Sequence, residues 1–117
     1  MSGGEAPDVA VVVLSTAPDP DVADGLARAL IEERLAACVT QVPGIKSLYR
    51  WQGVVEEAEE VLLVIKTHAG RAPDLTRRLA ELHPYAVPEI LVLPVAAGFR
   101  GYLDWIRDET RGDPNRS

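Results

Sequence analysis

The stretch CVTQVPGIKSLYRWQGVVEEAEEVLLVIKT, residues 38–67, decides the fold. Cys38 to Trp51 is rich in valine, threonine, isoleucine and tyrosine, which pack well on a pleated surface, and Val54 to Thr67 resumes that character. Gln52-Gly53 supplies a turn between the two runs, which predicts an antiparallel hairpin. Pro43-Gly44 interrupts the first run and marks a bend or bulge. On the second strand Glu60, Leu62, Val64 and Lys66 share one face, while Val61, Leu63, Ile65 and Thr67 share the other. A continuous strand from Val54 to Thr67 extends to ~46 Å at ~3.3 Å per residue. A compact domain of this size has a radius of gyration near ~13 Å, so part of the hairpin must overhang. Leu48, Tyr49 and Trp51 lie near its tip, and such a strand pair with free edges calls for pairing in a closed symmetric oligomer. The glutamates at 56, 57, 59 and 60 read as a solvated stretch that discourages stray strand stacking.

Outward from the hairpin, the period of the apolar pattern alternates. Val9 to Leu14 is a short β-branched run suited to a strand buried on both faces. Asp19 before Pro20 predicts an N-cap and a helix carrying Val22, Leu26, Ala29 and Leu30 on one stripe, running to about Leu35. After the hairpin, Pro73-Asp74 opens a second helix with Leu75, Leu79 and Leu82 in line, and Pro84 ends it. Ile90 to Ala96 reads as another buried strand. Phe99, Tyr102, Leu103 and Ile106 then recur at helical spacing, which predicts a short amphipathic helix at an edge or end of the sheet. The expected fold is α+β, a ferredoxin-like β-α-β-β-α-β sandwich with an added C-terminal helix. Residues 9–110 form its single domain, between disordered tails at 1–8 and 111–117.

Composition narrows the function classes. A chain of 117 residues with 47% apolar content holds one core. A net charge of −6 argues against nucleic-acid and anionic-membrane surfaces, which need a clustered cationic face. The single cysteine, Cys38, excludes an internal disulfide and suits a reducing cytoplasm. No apolar run approaches the ~20 residues of a spanning helix. Ser15 lacks the surroundings of a nucleophile elbow, and glycine-rich phosphate loops and paired zinc-spaced cysteines are missing, so an enzyme is not expected.

The segment from His83 to Ile90 holds the densest chemistry. Pro84 and Pro88 lock their own φ and push His83 and Val87 towards extended geometry, so His83, Tyr85 and Glu89 are displayed with little backbone freedom. The segment reads either as a rigid connector or as a binding site. Cys38, His68 and His83 are the soft or borderline metal ligands besides Met1, too scattered in sequence to bind an ion unless the fold or a second subunit assembles them. Cys38 reads equally as a small buried hydrophobe, and His83 as a helix terminator. Lys66 closes an apolar row, either snorkelling to solvent or facing a pocket with Tyr85 and Glu89. Glu60 lies ~20 Å along the strand from Lys66, so the two can pair only across a subunit boundary.

Four ordered segments, Glu33 to Val39, Ser47 to Gly53, Glu59 to Thr67 and His83 to Ile90, together resemble the divalent-cation tolerance protein family, CutA. The resemblance runs from about Val9 to Arg107. It implies a ferredoxin-like subunit in a tight homotrimer similar to the PII signalling proteins, and an association with tolerance to divalent metals, chiefly copper, without an established reaction. The ligands of copper-binding members resemble a cysteine in a first-strand Val-Leu-Cys-Thr motif and two adjacent histidines before Pro-Tyr. Here those positions hold Ser15, and Leu82 followed by His83. Two expectations result. One is a cytoplasmic homotrimer that binds a copper ion through His83, with Cys38 from a neighbouring position. The other is a PII-like sensor that takes a small polar ligand in clefts between subunits through Trp51, Glu60, Lys66, Tyr85 and Glu89. Neither involves nucleic acid or membrane.

Overall fold

The computed structural model describes residues 9–111. The elements follow the predicted order: β1 (Ala10–Ala17), α1 (Pro20–Glu32), β2 (Cys38–Trp51), β3 (Val54–His68), a 3-10 turn at Ala69–Arg71, α2 (Ala72–Leu82), β4 (Leu91–Pro94) and α3 (Arg100–Glu109). The strands form one antiparallel sheet in the order β2-β3-β1-β4. The frayed tails expected from the sequence lie outside the described residues, apart from Arg111, whose guanidinium reaches Asp108 at 3.5 Å.

Local chemistry sets the boundaries. The Asp19 carboxylate accepts from the Val22 amide at 2.9 Å, and Pro20 occupies the first turn of α1, where its missing N–H costs nothing. The helix stops at Glu32, short of the expected Leu35. Arg34 turns left-handed at φ 59, and the Leu35 and Ala36 amides both return to the Leu30 carbonyl, at 2.9 and 3.2 Å. Gln52 and Gly53 take φ values of 50 and 81, the conformation a two-residue hairpin turn requires. Gly44, at φ 72, lies in a bulge that breaks the β2–β3 register between Val42 and Ile45.

One face of the sheet is sealed. Val11, Val13 and Ala17 of β1 and Val61, Leu63 and Ile65 of β3 pack with Ala23, Leu26 and Leu30 of α1 and Ala72, Leu75 and Leu79 of α2. The opposite face is covered only in part. Here α3 meets β1 and β3, burying Ile106, and the Thr110 hydroxyl, which donates to the Ile106 carbonyl at 2.7 Å, accepts from His68 Nδ1 at 2.6 Å. Val12, Leu14, Leu62 and Val64 stay half-buried on this face.

Two strand expectations need correction. The first strand is longer than Val9 to Leu14 and is sealed on one face only, because both long helices pack on the same side. The last strand is not the buried run from Ile90 to Ala96. It comprises Leu91 to Pro94, all exposed in the single chain, because it is the free edge beyond β1 and Pro94 has no amide to extend the ladder. The hairpin overhangs as its length demanded: the molecule measures 46 × 32 × 25 Å with a radius of gyration of 15.1 Å. Leu48, Trp51, Val54 and Val55 are exposed on the overhang.

Candidate functional site

Pro84 does what the sequence predicts at the end of α2, holding His83 extended at φ −73, ψ 138. The outcome for the imidazole differs from display. His83 is turned inward and only 7% exposed. Its Nε2–H donates to the Thr16 carbonyl at 2.7 Å, and its Nδ1 accepts from the Tyr85 amide at 3.1 Å. These partners select the neutral tautomer protonated at Nε2, and they engage both ring nitrogens. His83 therefore ties the 83–90 segment to the end of β1.

Tyr85 follows from this anchoring. Its ring lies 4.7 Å from that of His83, and its hydroxyl donates to the Glu60 carboxylate at 2.8 Å. Burial, followed by the hydrogen bond and charge of Glu60, pushes the Tyr85 phenol well above its ordinary range, so it acts as a donor. Glu60 is itself 7% exposed and departs from the solvated stretch in which the sequence placed it. Glu56, Glu57 and Glu59 do remain exposed, and Glu57 meets Lys46 at 3.7 Å.

Glu60 and Tyr85 line a cleft of about 710 Å³ that runs from the base of the hairpin towards its tip, against the 83–90 segment. Four of the residues read from the sequence, Trp51, Glu60, Tyr85 and Glu89, line it. Thr16, Ser47, Leu48, Tyr49, Pro84, Ala86 and Val87 complete it and were not expected there. For Ser47 and Tyr49 the signal is the bulge. Before it Val42 pairs with Leu62, and after it Ile45 pairs with Glu60, so the even-numbered side of β2 gives way to the odd-numbered side on the face that carries Glu60. Ser47, Tyr49 and Trp51 are thereby brought to that face.

Lys66 lies elsewhere. Its ammonium donates to Thr40 Oγ1 at 2.6 Å and to Cys38 Sγ at 3.6 Å. Cys38 is half-buried at the same end of the sheet, and the Tyr102 phenol beside it is pushed upward by burial and then by the cysteine. Cys38 and Lys66 are level with Val12, whereas His83 binds Thr16, four residues on or ~13 Å along β1. Within one chain Cys38 and His83 therefore share no ion. Among the described residues no group of three or more His, Cys, Asp or Glu is arranged to hold a metal. Ser15 is fully buried on the helix-covered face, and its hydroxyl has no partner among the described residues.

Comparison with known proteins places this geometry in a family. Residues 11–109 match the family model described as CutA1 divalent ion tolerance protein. The chain is 57% identical over 99 residues to the divalent-cation tolerance protein CutA of Thermus thermophilus, covering 85% of this chain and 96% of that protein. A solved structure of the divalent cation tolerance protein (Cut A1) from Thermus thermophilus superposes with a TM-score of 0.85 at 55% identity, over 87% of this chain and 99% of that one. A more distant relative, the chloroplastic protein CutA of Arabidopsis thaliana, is 42% identical over 86% of this chain and 56% of its own length.

Proposed function

The chain belongs to the CutA1 divalent ion tolerance protein family, and from that premise we propose that it serves divalent-cation tolerance as a homotrimer that takes a small polar ligand in the cleft at the base of its hairpin. Membership places it among non-enzymatic tolerance proteins. The observation that carries the cleft reading is Glu60. A carboxylate removed from water is costly unless it is well partnered, and the neutral Tyr85 hydroxyl supplies one hydrogen bond. The remaining acceptor capacity of a group that lines an open cleft suits a donor brought by a ligand.

Assembly as a trimer is supported by the overhanging hairpin, the two free sheet edges and the half-covered second face. Light scattering should return three times the chain mass of 12.7 kDa. No helix among the described residues is long and apolar enough to cross a membrane, and the lone cysteine suits a reducing cytoplasm.

Copper on His83 and Cys38 is the second reading, favoured by the half-buried thiol of Cys38. It requires ligands from two subunits and release of His83 Nδ1 from the Tyr85 amide. One experiment separates the two. The size-verified oligomer is screened by thermal shift against polar metabolites and divalent cations, alongside equilibrium dialysis against copper(I) and copper(II). Under the cleft reading, a small ligand raises the melting temperature of wild type but not of Glu60→Gln. Copper uptake lost in the His83→Ala, Cys38→Ala double variant, without any such ligand, transfers the function to the metal site. A screen that moves nothing in an intact oligomer rejects both.

A further inference from the structure

The cleft carries information about the charge of its occupant. Its lining includes two carboxylates, Glu60 and Glu89, and three aromatic rings, Tyr49, Trp51 and Tyr85, with no lysine or arginine. Building on the cleft reading above, we infer that this is a site for a small organic cation, an alkylammonium whose charged nitrogen sits against the buried Glu60 carboxylate beside the Tyr85 ring, with its carbon chain running along the hairpin towards Tyr49 and Trp51.

Each other class of occupant meets a specific obstacle. An anion or a phosphate would face two carboxylates, and no lysine or arginine of the same chain lines the cleft to offset them. A neutral polar molecule could donate to Glu60 but would bring no charge to match the largely buried carboxylate. A bare divalent ion would find two carboxylates and no cluster of three or more ligating side chains. It would also occupy little of a cleft of about 710 Å³, whose size lies within the ~300–1,000 Å³ of small-molecule sites. An alkylammonium answers every feature. Its charge is matched by Glu60, its carbon chain by the apolar walls, and its positive nitrogen by the Tyr85 ring beside that carboxylate.

The positioning of Glu60 fits this role. The Tyr85 hydroxyl holds one carboxylate oxygen at 2.8 Å, and Tyr85 is in turn fixed through its own amide on His83 Nδ1. The acceptor is thus preorganised before a ligand arrives, which lowers the ordering cost of binding.

The test uses four-carbon probes that differ in charge: 1,4-diaminobutane, 1,4-butanediol and succinate, with tetramethylammonium as a cation lacking N–H donors. Trp105 lies on α3, outside the cleft lining, so the intact oligomer of Trp105→Phe retains Trp51 as its one tryptophan and reports occupancy by fluorescence. The expected result is a saturable Trp51 change with both cations, and binding of 1,4-butanediol and succinate weaker by at least ~10-fold, which corresponds to the loss of one charge-assisted contact of ~1.4 kcal/mol. Isothermal titration calorimetry should then give a loss of ~10-fold or more in Glu60→Gln, and a smaller loss in the exposed Glu89→Gln, whose folding is not at risk. If 1,4-butanediol or succinate saturates the cleft and the cations do not, the cation class is overturned while the cleft reading stands. If no probe of any charge alters Trp51 or gives a binding heat with an assembled oligomer, both readings fall.

Discussion

Thr67→Val should stabilise this protein, and the size of the gain follows from the packing. Thr67 is 0% exposed on the helix-covered face of β3, level with Val11, and its hydroxyl has no hydrogen-bond partner among the described residues. A hydroxyl buried without a partner costs ~1–3 kcal/mol. Valine has the same shape and suits a strand, so the change removes that penalty, opens no cavity and adds one apolar group to the core. A net gain of about 1–2 kcal/mol is expected. In urea, with a slope of ~1.5 kcal/mol/M, the midpoint should rise by about 1 M with the slope unchanged. The comparison holds subunit concentration fixed, so that any contribution of assembly is the same for both proteins. Ser15→Ala, at the other orphaned hydroxyl, should gain less because alanine leaves the oxygen's volume unfilled. The two sites lie four residues apart along β1, ~13 Å, so their effects should add. A midpoint that falls in Thr67→Val at constant slope would refute the reasoning, since it would mean that the hydroxyl makes a bond worth more than its burial costs.

Other changes test the remaining parts of the architecture. His83→Ala should cost about 2–3 kcal/mol in urea unfolding, because the Thr16 carbonyl and the Tyr85 amide both lose their partner, whereas a histidine that only binds ligand would leave stability unchanged. Gly53→Ala, at φ 81, should cost about 1 kcal/mol, with Gly53→Asn closer to wild type because asparagine tolerates positive φ better. Tyr85→Phe should flatten the alkaline limb of the stability curve. The folded-state value of Tyr85 is raised above 10.0, so its contribution is fully present below pH 10 and is lost as pH rises from there through the folded value. Wild type should therefore lose stability relative to Tyr85→Phe above pH 10, and equal slopes in that range would count against the Glu60 contact.

The hairpin, the helices and the extra C-terminal element were legible because each rests on local rules. Alternation marked the strands, Gln52-Gly53 the turn, and Asp19-Pro20 and Pro84 the helix limits. What escaped depends on partners distant in sequence. Pro84 fixes the backbone of His83 but not the destination of its ring, which is settled by a carbonyl 67 residues away. Tyr49 and Ser47 were hidden by a parity change. Counting alternation from Cys38 puts them on the wrong face, and only the register shift at the Pro43-Gly44 bulge brings them to Glu60. The exposure of β4 was also unreadable, since an apolar run is the same whether helices or a neighbouring chain cover it.

The overhang and the cleft share residues, and this governs how the functional readings can be separated. Tyr49 and Trp51 belong both to the projecting hairpin, where a neighbouring subunit is expected, and to the cleft wall. A substitution at either position would change assembly and ligand binding together, and its effect could not be assigned. Glu60 does not share that ambiguity. It is buried at the base of the hairpin, and its carboxylate is held by Tyr85 of the same chain. Exchange of its carboxylate for an amide retains shape and one acceptor while removing the charge. A ligand held by charge should then be lost while the proposed trimer remains, whereas a subunit interface held by apolar packing is indifferent to the change. Oligomer mass and ligand affinity measured on Glu60→Gln are therefore expected to move independently, which is what makes this residue, more than the exposed aromatics, decisive for the proposed site.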